Sequence, residues 1–181
     1  ITQAPAKTRA AFGDTQFGRG CLAAIQLIGA GVRCVEVTLN GWDTHANNHE
    51  AHVTQNAILD PAFAALIREL RARKLLDQTI VICAGEFGRT PEINPASGRD
   101  HWPTGFSMAL AGGGFRAGHV HGATDPTGAK LEANDKDSIR VADIHTTIQH
   151  SLGINHAKEL MTPILRPMAL SDGRVIKTLL K

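Results

Sequence analysis

The sequence predicts a layered α/β domain with a mostly parallel sheet. Helical stretches alternate with short β-branched runs in the order α, β, α, β, β, α, and the first two of these runs end in polar loops that contain glycine. Alternation of this kind is typical of parallel strands joined by helices. The chain has 181 residues, of which 43% are apolar, and this is enough to bury a core. Residues 1–181 are therefore expected to form a single domain or a segment of a larger one.

The first half of the chain predicts a helix, a strand and a second helix. Residues 14–31 place apolar side chains at helical spacing, with Asp14 as the cap and glycines at the end. Residues 32–39 are β-branched and short, which is typical of a buried strand. Residues 49–76 return to helical spacing, and Pro61 is expected to start or kink the second half of that helix.

The second half of the chain predicts two further strands and a closing helix. Residues 79–84 are a short β-branched run that follows a helix, and residues 106–114 are a third strand candidate. Residues 137–154 show a capped amphipathic pattern that ends at Gly153. These elements complete the alternating order.

Charge and composition exclude several classes of partner. The net charge is +2 with no long block of one sign, so neither nucleic acid nor an anionic membrane surface is an expected partner. No stretch approaches the roughly 18 continuous apolar residues that a membrane span requires. Cys21, Cys34 and Cys83 lie in apolar runs without paired spacing, which favours buried thiols over a disulfide framework.

Three polar clusters lie beside the predicted strands. NGWDTHANN at 40–48 follows the first strand, GEFGRT at 85–90 follows the second, and GRDHWP at 98–103 precedes the third. In open parallel sheets, ligands bind outside the carboxyl ends of the strands. We therefore expect the three clusters to converge on one site.

The residue types in these clusters suit a divalent metal ion. Asp43 and His45 are separated by one residue, so in an extended loop their side chains lie on the same side and could share an ion. A carboxylate with an imidazole favours zinc or manganese, and Glu86 could add a second carboxylate. Asp100 and His101 are adjacent and point apart on an extended backbone, so only one is expected to ligate, with His101 preferred.

Arg89 is the candidate for binding an anion. Its planar guanidinium matches two oxygens of a phosphate or sulfate group. Structural alternatives stay open at this point. Asp43 could instead form an Asx turn at the end of the strand, and Arg89 could pair with Glu86 or Glu92. The His-x-His pair at 119–121 is interpreted as a plain loop.

Four motifs in order resemble one known family. GWDTHANN, GEFGRTPEIN, GRDHWP and the closing ILRPMALSDGRVIKTLL are similar to the C-terminal half of domain-of-unknown-function family 1501, which is grouped with the alkaline phosphatase and sulfatase-like superfamily. The resemblance covers nearly the whole chain. It implies a three-layer α/β/α sandwich with one or two divalent metals at the carboxyl edge of a parallel sheet. It also implies hydrolysis or transfer of phosphate and sulfate esters by a Ser, Thr or Cys nucleophile.

The same resemblance implies roles for individual residues. Asp43 is similar to the aspartate that opens one metal site, and His101 is similar to the histidine that closes it. Glu86 stands where many relatives have the aspartate of an Asp-His pair, but the next residue here is Phe87. The position that carries a histidine in many relatives is an asparagine here, and His45 is the candidate substitute.

The resemblance also bears on activity and location. In the superfamily the nucleophile stands early in the chain, upstream of these motifs. Because residue 1 is Ile rather than Met, we expect a processed product or a segment that lacks the nucleophile-bearing half. Such a chain is expected to be inactive by itself, and the surface left by the missing half could self-associate. Relatives are often exported, which suggests an extracytoplasmic or periplasmic location.

Together the motifs predict a metal-dependent hydrolase of phosphate or sulfate esters. In this hypothesis Asp43, His45, Glu86 and His101 surround a zinc or manganese ion, and Arg89 faces a small anionic ester. The alternative is a non-catalytic relative that binds an anion, a glycan or a protein partner in the same pocket, because membership of a fold does not establish chemistry.

Overall fold

The chain folds into helices and small sheets, seen in a computed structural model that describes residues 4–132 and 138–181. The elements are α1 (Ala6–Ala11), α2 (Gln16–Gly29), α3 (Asn48–Ala72), β1 (Ile80–Cys83), β2 (Gly88–Arg89), β3 (His101–Trp102), β4 (Ala109–Gly112), α4 (Val141–Ser151), β5 (Glu159–Met161) and β6 (Pro167–Ala169), with short 3-10 turns at Leu76–Gln78 and Lys177–Leu179. The chain divides into two compact units. Unit 1 is Ile1–Leu76 with Arg89–Trp102, and unit 2 is Asp77–Gly88 with Pro103–Lys181.

The sheets are small. The described strands form three two-stranded sheets, which pair β1 with β4, β2 with β3 and β5 with β6. β1 and β4 run antiparallel, with Ile80 opposite Gly112, and β5 and β6 also run antiparallel. The fold is therefore mixed α/β as predicted, but the predicted three-layer arrangement around a parallel sheet is wrong. No helix lies between β1 and β4, whereas parallel neighbours are usually joined by one.

The first predicted strand, residues 32–39, is wrong, because no described strand pairs with it. Val35, Val37 and Leu39 are half-buried while the residues between them are exposed, so the alternation of a one-sided strand is present without a ladder. On α2, a Cβ at Gly20 would lie 2.8 Å from the Val37 side chain, which shows how closely the segment packs on the helix. A β-branched run favours strand backbone, but a strand also needs a neighbour to bond.

Residues 14–31 form a helix as predicted, but its cap is Thr15 rather than Asp14. The Thr15 hydroxyl accepts a hydrogen bond of 3.0 Å from the Gly18 N–H, which satisfies one open donor at the start of α2. Asp14 instead pairs with Arg19 at an exposed site. α2 packs on α3, and the buried apolar side chains of these helices and the preceding turn are Phe12, Phe17, Cys21, Leu22, Ala24, Ile25, Ala62, Ala65 and Leu70.

The predicted second helix is present as α3, and Pro61 lies inside this one continuous helix. It begins after Asn47, whose φ is 47°, and ends before a turn in which Lys74 has a φ of 58°. Pro61 has no N–H, so one helical hydrogen bond is lost at that position. Among the helices of the described residues, α3 included, none is long and apolar enough to cross a membrane.

The three cysteines differ in burial. Cys21 lies in the core of unit 1, and burial raises the pKa of its thiol to about 11. Cys83 is half-buried and Cys34 is exposed. The prediction of buried thiols is confirmed for Cys21 and wrong for Cys34, because Cys34 lies in the segment that does not form a strand.

The closing helix, α4, buries polar side chains against the segment that follows β6. Thr146 Oγ1 lies 2.6 Å from Ser171 Oγ, and Thr147 Oγ1 accepts a hydrogen bond of 2.9 Å from the Ile176 N–H. Gly173 packs so closely on the α4 backbone that a Cβ there would overlap it. The predicted start at Asp137 lies outside the described residues.

Asp143 anchors the start of α4. Its side chain is 1% exposed and accepts hydrogen bonds from the backbone N–H groups of Arg140 at 2.9 Å and Arg174 at 2.8 Å. The Arg140 guanidinium lies 3.3 Å from the same carboxylate. Burial opposes the charge, but these donors outweigh burial and hold the pKa of Asp143 below its usual value. The buried carboxylate therefore stays charged.

Replacing Asp143 by Asn should lower the free energy of unfolding by about 2–3 kcal/mol, because the amide leaves buried donors unsatisfied. The folded-state pKa is lowered, so the stabilisation is complete above the unfolded-state pKa and is lost as the pH falls through the folded-state pKa. The difference between the two proteins should therefore shrink in acid. Urea unfolding followed by circular dichroism measures it.

The matched control is Asp172→Asn, which changes an exposed aspartate in the segment packed on α4. It should shift the free energy of unfolding by less than about 0.5 kcal/mol. Equal losses in the two variants would contradict the anchoring role of Asp143.

Candidate metal centre

Two loops of unit 1 position the candidate residues. We call residues 44–48 the His45 loop and residues 94–99 the Asn94 loop. The backbone N–H groups of Asn47 and Asn48 donate to carbonyls of the Asn94 loop at 3.1 and 2.9 Å, and the Arg99 N–H returns a hydrogen bond of 3.2 Å to the His45 loop. These bonds bring Asp43 and His45, at the start of the first loop, next to Asp100 and His101, which follow the second loop.

The Asn94 side chain orders both loops. Its Oδ1 accepts hydrogen bonds from the N–H groups of Ala96 and Gly98 at 3.0 and 2.9 Å. Its Nδ2 donates to the His45 carbonyl at 3.0 Å and to Asp100 Oδ1 at 3.2 Å. Gly98 contributes by its lack of a side chain, since a Cβ there would overlap the His45 carbonyl. One amide therefore fixes the turn of its own loop and the position of two site residues.

Three side chains converge beside these loops. Asp43 Oδ1 lies 3.0 Å from Nε2 of His45 and 3.0 Å from Nε2 of His101, and the two Nε2 atoms are 3.2 Å apart. The side chains are between 48% and 61% exposed. Asp43, His45 and His101 thus form a group that could hold a metal ion.

The spacing of these atoms fits a metal ion. Zinc binds imidazole nitrogen and carboxylate oxygen at about 2.0–2.1 Å, so the ligand atoms of a tetrahedral site lie about 3.3 Å apart. The observed triangle, with edges of 3.0 to 3.2 Å, is slightly tighter than one face of such a tetrahedron. Three protein ligands leave a fourth position for water or substrate, as in catalytic zinc sites.

Asp100 holds the far side of the His45 ring. Its Oδ1 lies 2.9 Å from His45 Nδ1, and Asn94 binds the same oxygen. A carboxylate in this position orients an imidazole ligand and increases its basicity. The hydrogen bond to Asp100 raises the pKa of His45 although desolvation opposes it, and it lowers the pKa of Asp100. The two ring nitrogens of His45 thus bridge two carboxylates, those of Asp43 and Asp100.

Arg89 reaches the same oxygen of Asp43. Its Nη1 donates a hydrogen bond of 2.7 Å to Asp43 Oδ1, and its side chain is only 14% exposed. Hydrogen bonds from His101 and then from Arg89 lower the pKa of Asp43. A guanidinium group therefore borders the Asp43, His45 and His101 group.

The other sequence candidates lie elsewhere. Glu86 belongs to unit 2, and the described group of three is formed without it, so its role as a ligand stays a prediction. His49 is exposed on the first turn of α3. His52 packs edge to face on Trp42 with ring centroids 5.3 Å apart, and desolvation lowers the pKa of His52. The rings of the pair at 119–121 lie in unit 2, 6.2 Å apart.

No sequence pattern singled out Asn94 as an organiser of the site. The signal that could have identified it is the run NPASG at 94–98, because Asn before Pro with Gly close behind is typical of a turn closed by the Asn side chain. The sequence predicts Asp100 only as an alternative ligand to His101. In the structure it acts on the opposite face of the His45 ring.

The fold and the site define a mixed α/β protein with a candidate divalent-metal centre. Residues 1–180 match the family described as "Protein of unknown function (DUF1501)", and the chain belongs to that family. No curated protein and no solved structure matches the chain. The predicted family is thereby confirmed, while its placement among alkaline-phosphatase-like proteins stays a prediction.

Asp43→Ala and His101→Ala should each abolish stoichiometric binding of zinc or manganese, because each removes one corner of the triangle. Isothermal titration calorimetry measures the binding. His49→Ala is the matched control, since it removes an exposed histidine of the same unit and should leave the affinity unchanged. A folded, unaltered chain that binds neither metal would contradict the site.

Metal affinity should increase from about pH 6 to about pH 8, because ligation requires the neutral imidazole of His45. Since the Asp100 hydrogen bond raises the pKa of His45, protons compete with the metal over a higher pH range than at an ordinary histidine. Calorimetry in buffers of different ionisation enthalpy counts the protons released. Asp100→Asn should weaken zinc binding about tenfold to a hundredfold. A pH-independent affinity would argue against His45 as a ligand.

Proposed function

We propose that this chain carries the divalent-metal centre of a hydrolase that acts on phosphate or sulfate esters. The observation that carries the proposal is the triangle of Asp43, His45 and His101, with edges of 3.0 to 3.2 Å. Zinc or manganese is the proposed ion. Bound there, the ion would supply Lewis-acid stabilisation of charge on the transferring oxyanion.

The proposal includes kinship with alkaline-phosphatase-like proteins. Support comes from the residue types and the order of the motifs GWDTHANN, GEFGRTPEIN and GRDHWP. The small antiparallel sheets lend it no support, so the site carries the proposal and the fold does not. An extracytoplasmic or periplasmic location belongs to the same proposal.

Arg89 is the proposed contact for the anionic ester. Its side chain is largely buried and is held against Asp43, so the guanidinium keeps a defined place beside the triangle. With an ion held by the triangle, Arg89 would offer planar donors that match phosphate and sulfate oxygens. In this role Arg89 binds and orients the substrate.

Neither threonine near the site is a good nucleophile. Thr44 is 8% exposed, and its hydroxyl accepts a hydrogen bond of 2.6 Å from the Asn48 amide. The Thr90 hydroxyl donates to the Glu92 carbonyl at 2.8 Å and accepts from the Asp100 N–H at 3.1 Å. The Thr44 hydroxyl is therefore engaged within the His45 loop, and the Thr90 hydroxyl is engaged with Glu92 and Asp100. Nucleophilic catalysis needs an accessible, activated group, so we propose that the nucleophile lies outside these clusters and that this chain alone is inactive.

The second candidate function is non-catalytic binding of an anion or a glycan in the same site. The same two engaged hydroxyls favour it, because binding requires no nucleophile. The half-exposed triangle would serve such a binder equally well. Hydrolysis therefore has to be measured separately from binding.

The test compares ester hydrolysis with anion binding in the presence of zinc or manganese. The full-length protein should hydrolyse aryl phosphate or aryl sulfate, and Asp43→Ala should abolish the activity. The 181-residue chain should bind phosphate or sulfate only with metal present, without turnover above the metal-only background. Arg89→Lys should weaken this binding about tenfold, because a point charge replaces the planar donors.

Each result separates the alternatives. Turnover by the 181-residue chain that is lost in Asp43→Ala would show that Thr44, Thr90 or an activated water completes the site. Metal-dependent anion binding without hydrolysis by the full-length protein would select the non-catalytic function. Absence of metal-dependent anion binding would contradict both functions.

A further inference from the structure

The hairpin formed by β5 and β6 exposes large apolar side chains of unit 2. Every residue of its two strands is exposed, and Leu160, Met161, Ile164, Leu165 and Met168 are between 50% and 81% exposed. No described strand outside the hairpin pairs with it. A two-stranded hairpin is marginal in water, and exposed apolar groups of this kind mark interaction sites. The apolar side chains of the hairpin are of the kind that is usually buried, but no described strand pairs with the hairpin.

The hydrogen-bond register shows which backbone groups point outward from β5. The Thr162 N–H donates across the hairpin to the Arg166 carbonyl at 3.0 Å. Bonding alternates along an antiparallel pair, so Leu160 also bonds across the hairpin. The N–H and C=O groups of Glu159 and Met161 consequently point away from β6. The outer edge of β5 offers two donors and two acceptors.

The outer edge of β6 is blunted by a proline. Its outward positions are Pro167 and Ala169, and Pro167 has no N–H to donate. An additional strand therefore meets a complete set of backbone partners at β5 and an incomplete one at β6. The open edge of the hairpin is β5.

We propose that a second copy of this chain binds at this edge, with the two β5 strands antiparallel about a two-fold axis at Leu160. Glu159 of each copy then stands opposite Met161 of the other, and each such pair exchanges two backbone hydrogen bonds. The axis generates the pair twice, so the copies share a four-stranded sheet in the order β6, β5, β5, β6. The contact is isologous, as in most dimers. The resulting sheet has four strands, more than the three or so that an independently stable sheet needs.

The side chains fit this register. Leu160 of one copy lies opposite Leu160 of the other at the two-fold axis. This is a non-hydrogen-bonded pair, in which the side chains are closer together than in a hydrogen-bonded pair. Met168 lies opposite Leu160 within each hairpin, so an apolar row crosses all four strands on one face. Lys158 of one copy faces Thr162 of the other, so the lysines do not stand opposite each other. The register therefore joins apolar groups without pairing like charges.

The tip of the hairpin also carries exposed apolar side chains. Leu165 has a φ of 59° and is 79% exposed. Glycine or asparagine is the ordinary choice at a left-handed position of a short hairpin loop. A leucine there is unfavourable in an isolated chain both for its backbone and for its exposure. Because the paired strands are antiparallel, the tip of each hairpin lies beside the base of the other, where Leu165 and Ile164 can be covered.

The first test uses two proline substitutions that differ only in the edge they block. Met161→Pro removes an outward N–H from β5, and Ala169→Pro removes one from β6, so neither breaks a hydrogen bond within the hairpin. In sedimentation velocity over a range of concentrations, the unaltered chain should form a dimer. Met161→Pro should raise the dimer dissociation constant about tenfold or more, because two bonds are lost at the axis. Ala169→Pro should leave it unchanged.

The second test uses cross-linking and does not depend on the stability of a proline variant. In a Cys34→Ser background, which removes the exposed native thiol, Leu160→Cys should form a disulfide-linked dimer under mild oxidation. Opposed residues at the axis lie within the Cα separation that a disulfide spans. Met168→Cys, one strand away from the axis, should remain largely uncross-linked.

Two results would overturn the proposal. One is a chain that stays monomeric at every concentration and gives no cross-linked Leu160→Cys dimer, in which case the edge serves a different partner. The other is a dimer that forms equally well with Met161→Pro, which would place the interface elsewhere on the chain.

Discussion

The candidate centre depends on one side-chain amide. Asn94 closes the turn of its own loop through Oδ1, and through Nδ2 it binds the His45 carbonyl and the Asp100 carboxylate. The same planar amide thus positions the His45 backbone and the Asp100 side chain, so these two groups cannot shift independently. Gly98 completes the constraint by leaving room for the His45 carbonyl. The geometry around the triangle follows from this contact between two loops.

Charge alternates outward from the triangle. Arg89 binds Asp43, Asp43 lies against His45, and His45 continues to Asp100. Three of these side chains are about half exposed, and ion pairs as exposed as these contribute little to stability. Stabilising the fold therefore does not explain the arrangement. An alternating row of this kind does, however, keep a ligating imidazole oriented and a carboxylate ionised.

Local features of the fold were predictable from the sequence, whereas pairing was not. Helical spacing identified residues 14–31 because one amphipathic face determines a helix, although the cap moved by one residue to Thr15. Two strand candidates also exist, as β1 and β4, but their direction depends on the connection between them and not on their own residues. The strand predicted at 32–39 is wrong for a similar reason, because β-branched residues favour strand backbone but do not specify the neighbouring strand that it must pair with.

The site was predictable to the extent that it depends on residue type. Asp43, His45, His101 and Arg89 were identified from their chemistry, and the structure brings these four together. Asn94 acts on the site through its hydrogen bond to His45, which is 49 positions away in the sequence. A local sequence pattern cannot predict a contact over that distance. Glu86 is the reverse case. A sequence motif suggests it as a ligand, but in the structure it belongs to unit 2 and not to the unit that contains the triangle.

The helix between the two loops has a consequence for the order of folding. α3 separates the halves of the site, so the contacts of His45 with Asp100 and His101 span 55 and 56 positions. Such contacts form only after a long loop has closed, whereas a helix forms from neighbouring residues. Neither loop holds the triangle by itself, because Asp43 and His45 precede α3 in the chain and His101 follows it. An ion at the triangle would thus be captured only by chains whose first unit has already folded, and it would lock that unit against reopening.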